Sequence, residues 1–141
     1  MKKIILIGRS EAGKTTLMQA LKGESIHYHK TQYVNRFDVV IDTPGEYIQS
    51  KNLGSAIAMY SFEADVVGML MSATEPYSLY PPECAVVANR RVIGIITQKN
   101  DPNADIPQAR RWLELAGCAD IFEVDSKTGE GIDEILKYLN D

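Results

Sequence analysis

The stretch that most limits how this chain can fold is Gly8-Arg9-Ser10-Glu11-Ala12-Gly13-Lys14-Thr15, set between Ile4-Ile5-Leu6-Ile7 and Leu17-Met18-Gln19-Ala20-Leu21. The apolar run reads as a buried strand over residues 2–7. Leu17, Ala20 and Leu21 recur at helical spacing over residues 14–22, before Gly23. A glycine-framed loop between strand and helix can curl so that successive backbone N–H groups, those of Ser10, Glu11, Ala12 and Gly13, point inward. The helix N-terminus adds its positive dipole end, and G-x-x-x-x-G-K-[ST] in this setting is a phosphate cradle. Gly8 and Gly13 act as hinges, Lys14 reaches the β- and γ-phosphates, the Thr15 hydroxyl is placed to ligate Mg²⁺, and Thr16 can touch the α-phosphate. The Glu11 side chain is read as solvated.

Further apolar runs read as strands buried on both faces, Phe37 to Ile41, Asp65 to Ser72 and Arg91 to Thr97, and Ile121 to Val124 supplies a last strand. Helices fit between them at Gly54 to Phe62, Pro82 to Ala88, Pro107 to Ala116 closed by Gly117, and Gly131 to Leu139 with Ile132, Ile135, Leu136 and Leu139 on one face. Alternating strands and helices predict right-handed crossovers and a mainly parallel sheet covered on both sides, an α/β architecture of three layers. With 141 residues, 45% of them apolar, and no linker or repeat, the chain is expected to form a single domain over 1–141.

A net charge of −4 offers no basic excess for nucleic acid or anionic lipid. No run approaches the roughly 20 apolar residues of a membrane span, and the start lacks a signal-peptide pattern, so a cytoplasmic protein is expected. Cys84 and Cys118 are isolated, without the spacing of metal ligands, and read as buried reduced thiols. His27 and His29 flank Tyr28 and are not read as a metal site.

Asp42-Thr43-Pro44-Gly45 follows Val39-Val40-Ile41, which presents Asp42 at the carboxyl end of a strand beside the phosphate loop, where it suits a second Mg²⁺ partner. Gly45 can offer its N–H to a γ-phosphate, because no side chain blocks the approach. Thr31, 16 positions after Thr15 in a polar stretch, can close over Mg²⁺ and γ-phosphate. Only 11 positions separate Thr31 from Asp42, too few for a full hairpin, so a sheet of about six strands would have a vestigial second one.

These elements, in this order, resemble small GTPases. Gln98-Lys99-Asn100-Asp101 resembles the base-reading N/T-K-x-D element with Gln98 in place of Asn, and Asp125-Ser126-Lys127-Thr128-Gly129-Glu130-Gly131 resembles S-A-K-T-G-x-G with Asp125 in place of Ser. The resemblance implies that the Asp101 carboxylate accepts from guanine N1–H and the 2-amino group, that the Lys99 stem lies over the base, and that Ser126 and Lys127 complete the pocket. Gln98, one methylene longer than Asn, leaves GTP and ATP both open.

The fuller resemblance, over essentially the whole chain, is to the EutP/PduV family of ethanolamine- and propanediol-utilisation proteins. It is carried by Met1 to Gly8, Lys30-Thr31-Gln32, Ile41 to Tyr47 and Val92 to Thr97. It implies a cytoplasmic P-loop NTPase linked to bacterial microcompartments, whose partners would be a shell component or an activating protein. Glu46 stands where GTPases of the Ras type carry a water-positioning Gln, and a carboxylate cannot donate, so slow hydrolysis is expected. The alternative implied by the family is an ATP-dependent phosphotransferase acting on acetate.

Overall fold

In a computed structural model, the described residues are 4–8, 16–21, 37–38, 65–74 and 91–140, with 37, 38 and 140 described by backbone alone. Five strands form one sheet: β1 (Ile4–Ile7), β2 (Phe37–Asp38), β3 (Val66–Ser72), β4 (Arg91–Thr97) and β5 (Asp120–Glu123). Their order is β2-β1-β3-β4-β5, every neighbouring pair is parallel, and Ile4 pairs with both Phe37 and Val66. Residues 16–21 are helical (α1), followed in the described chain by α2 (Ile106–Ala116) and α3 (Ile132–Asn140).

Alternation along the strands divides the core in two. Ile5 and Ile7 of β1 join Val67, Met69, Met71, Val92 and Ile96 beneath Ala109, Leu113 and Ala116 of α2. Ile4 and Leu6 instead join Val66, Leu70, Ile93 and Ile95, with Leu17 and Leu21 of α1 and Ile132, Ile135, Leu136 and Leu139 of α3. Successive side chains of a strand point to opposite faces, so a sheet with apolar residues at every position must be covered twice. The result is the three-layer α/β arrangement that the alternating sequence predicts. Gly94 lets α2 lie close on β4: a Cβ there would stand 2.9 Å from Leu113 Cδ1.

Local chemistry sets the element ends. Asp105 accepts from Gln108 N–H at 3.1 Å and caps α2, with proline in its first turn, and Gly117 closes the helix in a left-handed conformation with φ 99°. The predicted helix 107–116 and its glycine stop thus match within one residue. The last strand lies one residue earlier than expected, because Asp120 and Ile121 pair with Ile93 and Gly94, while Val124 continues the alignment through its N–H to Ile96 O at 2.8 Å. Phe122 meets Tyr138 of α3 edge to face at 5.5 Å.

Other expectations fall on residues outside the described ones: Val39 to Ile41, the helices at 54–62 and 82–88, most of the stretch from Thr31 to Asp42 in which the second strand is expected to be vestigial, and Cys84. Cys118 is half-buried, and its thiol lies 3.7 Å from Met69 Sδ. Among the described residues no helix is long and apolar enough to cross a membrane, and no group of His, Cys, Asp and Glu is arranged to hold a metal ion.

Candidate functional site

The parallel sheet places the carboxyl ends of β1, β3, β4 and β5 along one rim. Gly8, buried with φ 156°, leaves β1 there, and α1 is under way by Thr16. On the same rim, residues 97–102 leave β4 and residues 124–131 leave β5. Thr16, Thr97, Gln98, Asn100, Asp101, Pro102, Asp125, Ser126 and Lys127 line one cleft of about 340 Å³, within the size range of small-molecule sites. Two loops far apart in sequence and the helix that follows the glycine-framed loop therefore share one cavity.

The loop after β4 is a turn closed by Asp101 N–H on Gln98 O at 3.1 Å, and Gln98 itself sits in the left-handed region at φ 59°. The Gln98 side chain turns toward β3: its Oε1 accepts from Ser72 Oγ at 2.6 Å and from Thr74 Oγ1 at 3.3 Å. Asp101 is exposed at the cleft, and its Oδ1 accepts from Asn103 N–H at 2.8 Å.

The loop after β5 is organised by Asp125. Its Oδ1 accepts from Lys127 N–H at 2.9 Å and Thr128 N–H at 3.3 Å, and its backbone pairs with Glu130. A short side-chain acceptor that catches backbone N–H groups two and three residues on is the turn chemistry of aspartate. Burial opposes the Asp125 charge, but hydrogen bonds from Lys127 N–H, the Asn100 amide and Thr128 N–H outweigh it and hold the pKa below the usual aspartate range.

Asn100 joins the two loops. Its Nδ2 donates to Asp125 Oδ2 and Glu130 Oε1, both at 3.0 Å. Lys99 lies on the opposite side, bridged to Glu130 at 3.0 Å, and lines a second, open groove of about 390 Å³ with Arg110, Ile121, Glu123, Glu130, Gly131 and Glu134. Glu130 raises the Lys99 pKa, while Lys99 and then Asn100 hold the Glu130 carboxyl below the ordinary glutamate range.

Of the residues expected at a nucleotide site, Thr16, Gln98, Asp101, Ser126 and Lys127 meet in the cleft, and Gly8 stands at the end of β1. Lys99 does not line that cleft, because its ammonium is drawn to Glu130. Ser10, Glu11, Ala12, Gly13, Lys14, Thr15, Thr31, Asp42, Gly45 and Glu46 lie outside the described residues. Sequence reasoning passed over Asn100, Glu130 and the capping role of Asp125. The available signal was an amide at the variable place of the 98–101 element, just where the first place had lost its Asn.

The sheet order and the two loops on its rim define the α/β fold of P-loop NTPases related to GTPases. Among solved structures, the translation elongation factor SelB from Methanococcus maripaludis, crystallised with the GTP analogue GppNHp, superposes with a TM-score of 0.56 at 21% identity, over 99% of this chain and 34% of its own. This chain thus spans about a third of that factor. The family model PduV-EutP, described as "Ethanolamine utilisation - propanediol utilisation", matches residues 1–141, and the chain belongs to that family. Propanediol utilization protein PduV of Citrobacter freundii is 38% identical over 99% of this chain and 94% of its own length. The protein named "Probable acetate kinase EutP" in Escherichia coli K12 is 32% identical over 99% and 89%. GTPase Era of Corynebacterium glutamicum is 26% identical over 98% of this chain and 53% of its own.

Proposed function

We propose that this chain binds a purine nucleoside triphosphate with Mg²⁺ and hydrolyses it slowly, as a single-domain, nucleotide-gated component of ethanolamine or propanediol catabolism. The observation that carries this reading is the cleft in which Thr16, Gln98, Asp101, Ser126 and Lys127 converge at the carboxyl rim of the sheet. A base held there would direct its phosphates toward the rim where Gly8 leaves β1 and Thr16 begins the described part of α1, and the N–H groups of the intervening loop and Lys14 would carry them. Thr15, Thr31 and Asp42 supply hydroxyl and carboxylate oxygens, the donor type that Mg²⁺ takes, and the ion would offset the phosphate charge. Gly45 would contact the γ-phosphate, and Glu46 would stand beside the attacking water as a poor substitute for Gln, which keeps turnover slow.

Guanine is the favoured base: Asp101 offers acceptors at the cleft, and sequence similarity extends to GTPase Era. Segments 24–31 and 45–53 would order around the γ-phosphate and recruit a partner in the cytoplasm, a microcompartment shell component or an activating protein. Titration of the purified chain with GTP and ATP tests the reading. Lys14→Ala is expected to abolish triphosphate binding, and retained binding would overturn the phosphate assignment.

A second reading is favoured by the 32% identity to proteins of Escherichia coli and Salmonella typhimurium named "Probable acetate kinase EutP". In it, the same cleft holds ATP, and the γ-phosphoryl group passes to acetate rather than water. Acetyl phosphate formed from acetate and ATP would decide for the kinase; turnover indifferent to acetate would decide against it.

A further inference from the structure

The two loops that wall the cleft come from different strands, so something must fix their separation. Gln98 is committed elsewhere, through Oε1, to Ser72 and Thr74 at the end of β3. Lys99 N–H donates to Val124 O at 3.2 Å at the root of the two loops, and Asn100 makes the side-chain cross-link beyond it. A side-chain amide carries two N–H groups, and Nδ2 of Asn100 spans Asp125 Oδ2 and Glu130 Oε1 with equal 3.0 Å contacts. The same Asp125 carboxylate holds Lys127 N–H and Thr128 N–H through its other oxygen, and so fixes the backbone that presents Ser126 and Lys127 to the cleft. Glu130 closes the ring by pairing its second oxygen with Lys99 Nζ. The neighbour of Asn100 in sequence is Asp101, the acceptor on the facing wall.

We propose that Asn100 is the positioning residue of the base cleft: by tying Asp125 and Glu130 to the 98–101 loop, it sets the spacing between Asp101 and Ser126-Lys127 and thereby the residence time of the bound nucleotide. The proposal rests on the nucleotide reading above. A donor is needed at this point, because carboxylates face it on two sides. Among the described residues, Asp125, Glu130, Lys99 and Lys127 are the charged groups around it and its partners, with Asp101 adjacent in the chain. An isosteric carboxyl here would meet like charges and take up a proton more readily than an ordinary aspartate, and once protonated it would again donate.

Dissociation of methylanthraniloyl-labelled GDP and ADP from the full chain, followed by stopped-flow chase between pH 5 and 8, tests this. Asn100→Ala is expected to release nucleotide about tenfold faster, the loss of hydrogen bonds to charged acceptors. Asn100→Asp is expected to release it faster than wild type at pH 8 and to regain slow release as pH falls, a recovery that a generally weakened fold does not produce. Asn100→Asp keeps the side-chain shape, so its pH series decides the matter even if Asn100→Ala does not fold. Wild-type rates in either variant at pH 8, or a fast Asn100→Asp rate that ignores pH, would overturn the positioning role alone. Failure of the wild-type chain to bind either nucleotide would sink the nucleotide reading, and this proposal with it.

Discussion

Ser72 and Gln98 meet through a 2.6 Å hydrogen bond in which the serine hydroxyl donates to Oε1, anchoring the turn after β4 to the end of β3. The turn is held although Gln98 adopts φ 59°, a backbone region that costs an L-residue about 1–2 kcal/mol. Two variants separate side chain from backbone. Gln98→Ala loses the hydrogen bonds and keeps the strain, so it should lower stability by about 1 kcal/mol or more. Gln98→Gly loses the same bonds but relieves the strain, and even after glycine's entropic penalty should remain more stable than Gln98→Ala by about 0.5–1 kcal/mol. Urea unfolding midpoints check the order; alanine above glycine would contradict the assigned conformation.

Gly131 is the tightest point of the loop after β5. It has φ 83°, and a Cβ there would lie 2.1 Å from the Glu123 carbonyl oxygen, a backbone atom that cannot step aside. Gly131→Ala must therefore move the strand end or the start of α3. A stability loss beyond about 1 kcal/mol is expected, together with weaker nucleotide binding, because the displaced loop carries Ser126 and Lys127. Thermal unfolding and calorimetry on the same sample read both effects. A variant as stable as wild type would mean that the loop has another accessible path.

Much of this scaffold is legible in the sequence, because Val92 to Ile96 is apolar along its length and residues 107–116 lie between a first-turn proline and a C-terminal glycine. Such signals are local. β5 starts one residue before the expected position because it is the half-exposed edge strand of the described sheet, where Asp120 pairs with Ile93 although its charge marks it as a turn residue. The Asn100 cross-link joins positions 25 and 30 residues apart. No periodicity announces a contact of that kind, and a motif with a free third place conceals it. The motif places the Lys99 stem over the base, whereas in the structure its position follows from Glu130, a residue the motif leaves variable.

The Asp125, Glu130 and Lys99 network makes the cleft sensitive to pH at both extremes. The Asp125 and Glu130 carboxyls are held below their usual ranges, so their contribution is present above the unfolded pKa and is lost as pH falls through the folded one. Lys99 is raised, so its contribution is present below its unfolded pKa and is lost as pH rises through the folded one. Stability should hold across neutral pH, fall below about pH 4, and fall again in the lysine range. Glu130 is exposed and Asp125 and Lys99 are only half-buried, so the change should be small and should shrink with added salt. Glu130→Gln should flatten the acid limb in pH-dependent unfolding; an unchanged limb would show that Glu130 contributes nothing to it.

Asp101 provides the sharpest test of base choice. Guanine presents N1–H and a 2-amino group to a carboxylate, whereas adenine turns an unprotonated N1 toward it, so an exposed aspartate at the cleft favours guanine. Asp101→Asn keeps an Oδ1 for the Asn103 N–H that closes the turn, and the local fold should therefore survive. Its amide nitrogen would instead face the guanine donors. GTP affinity is expected to fall by about 30-fold or more, from losing hydrogen bonds to a charged acceptor and burying donor against donor, while ATP affinity changes little. XTP, which carries a carbonyl in place of the 2-amino group, should gain. Competition titrations with the three nucleotides check this. Equal losses for GTP and ATP would mean that Asp101 supports the loop rather than reads the base, and an ATP loss alone would reverse the choice of base.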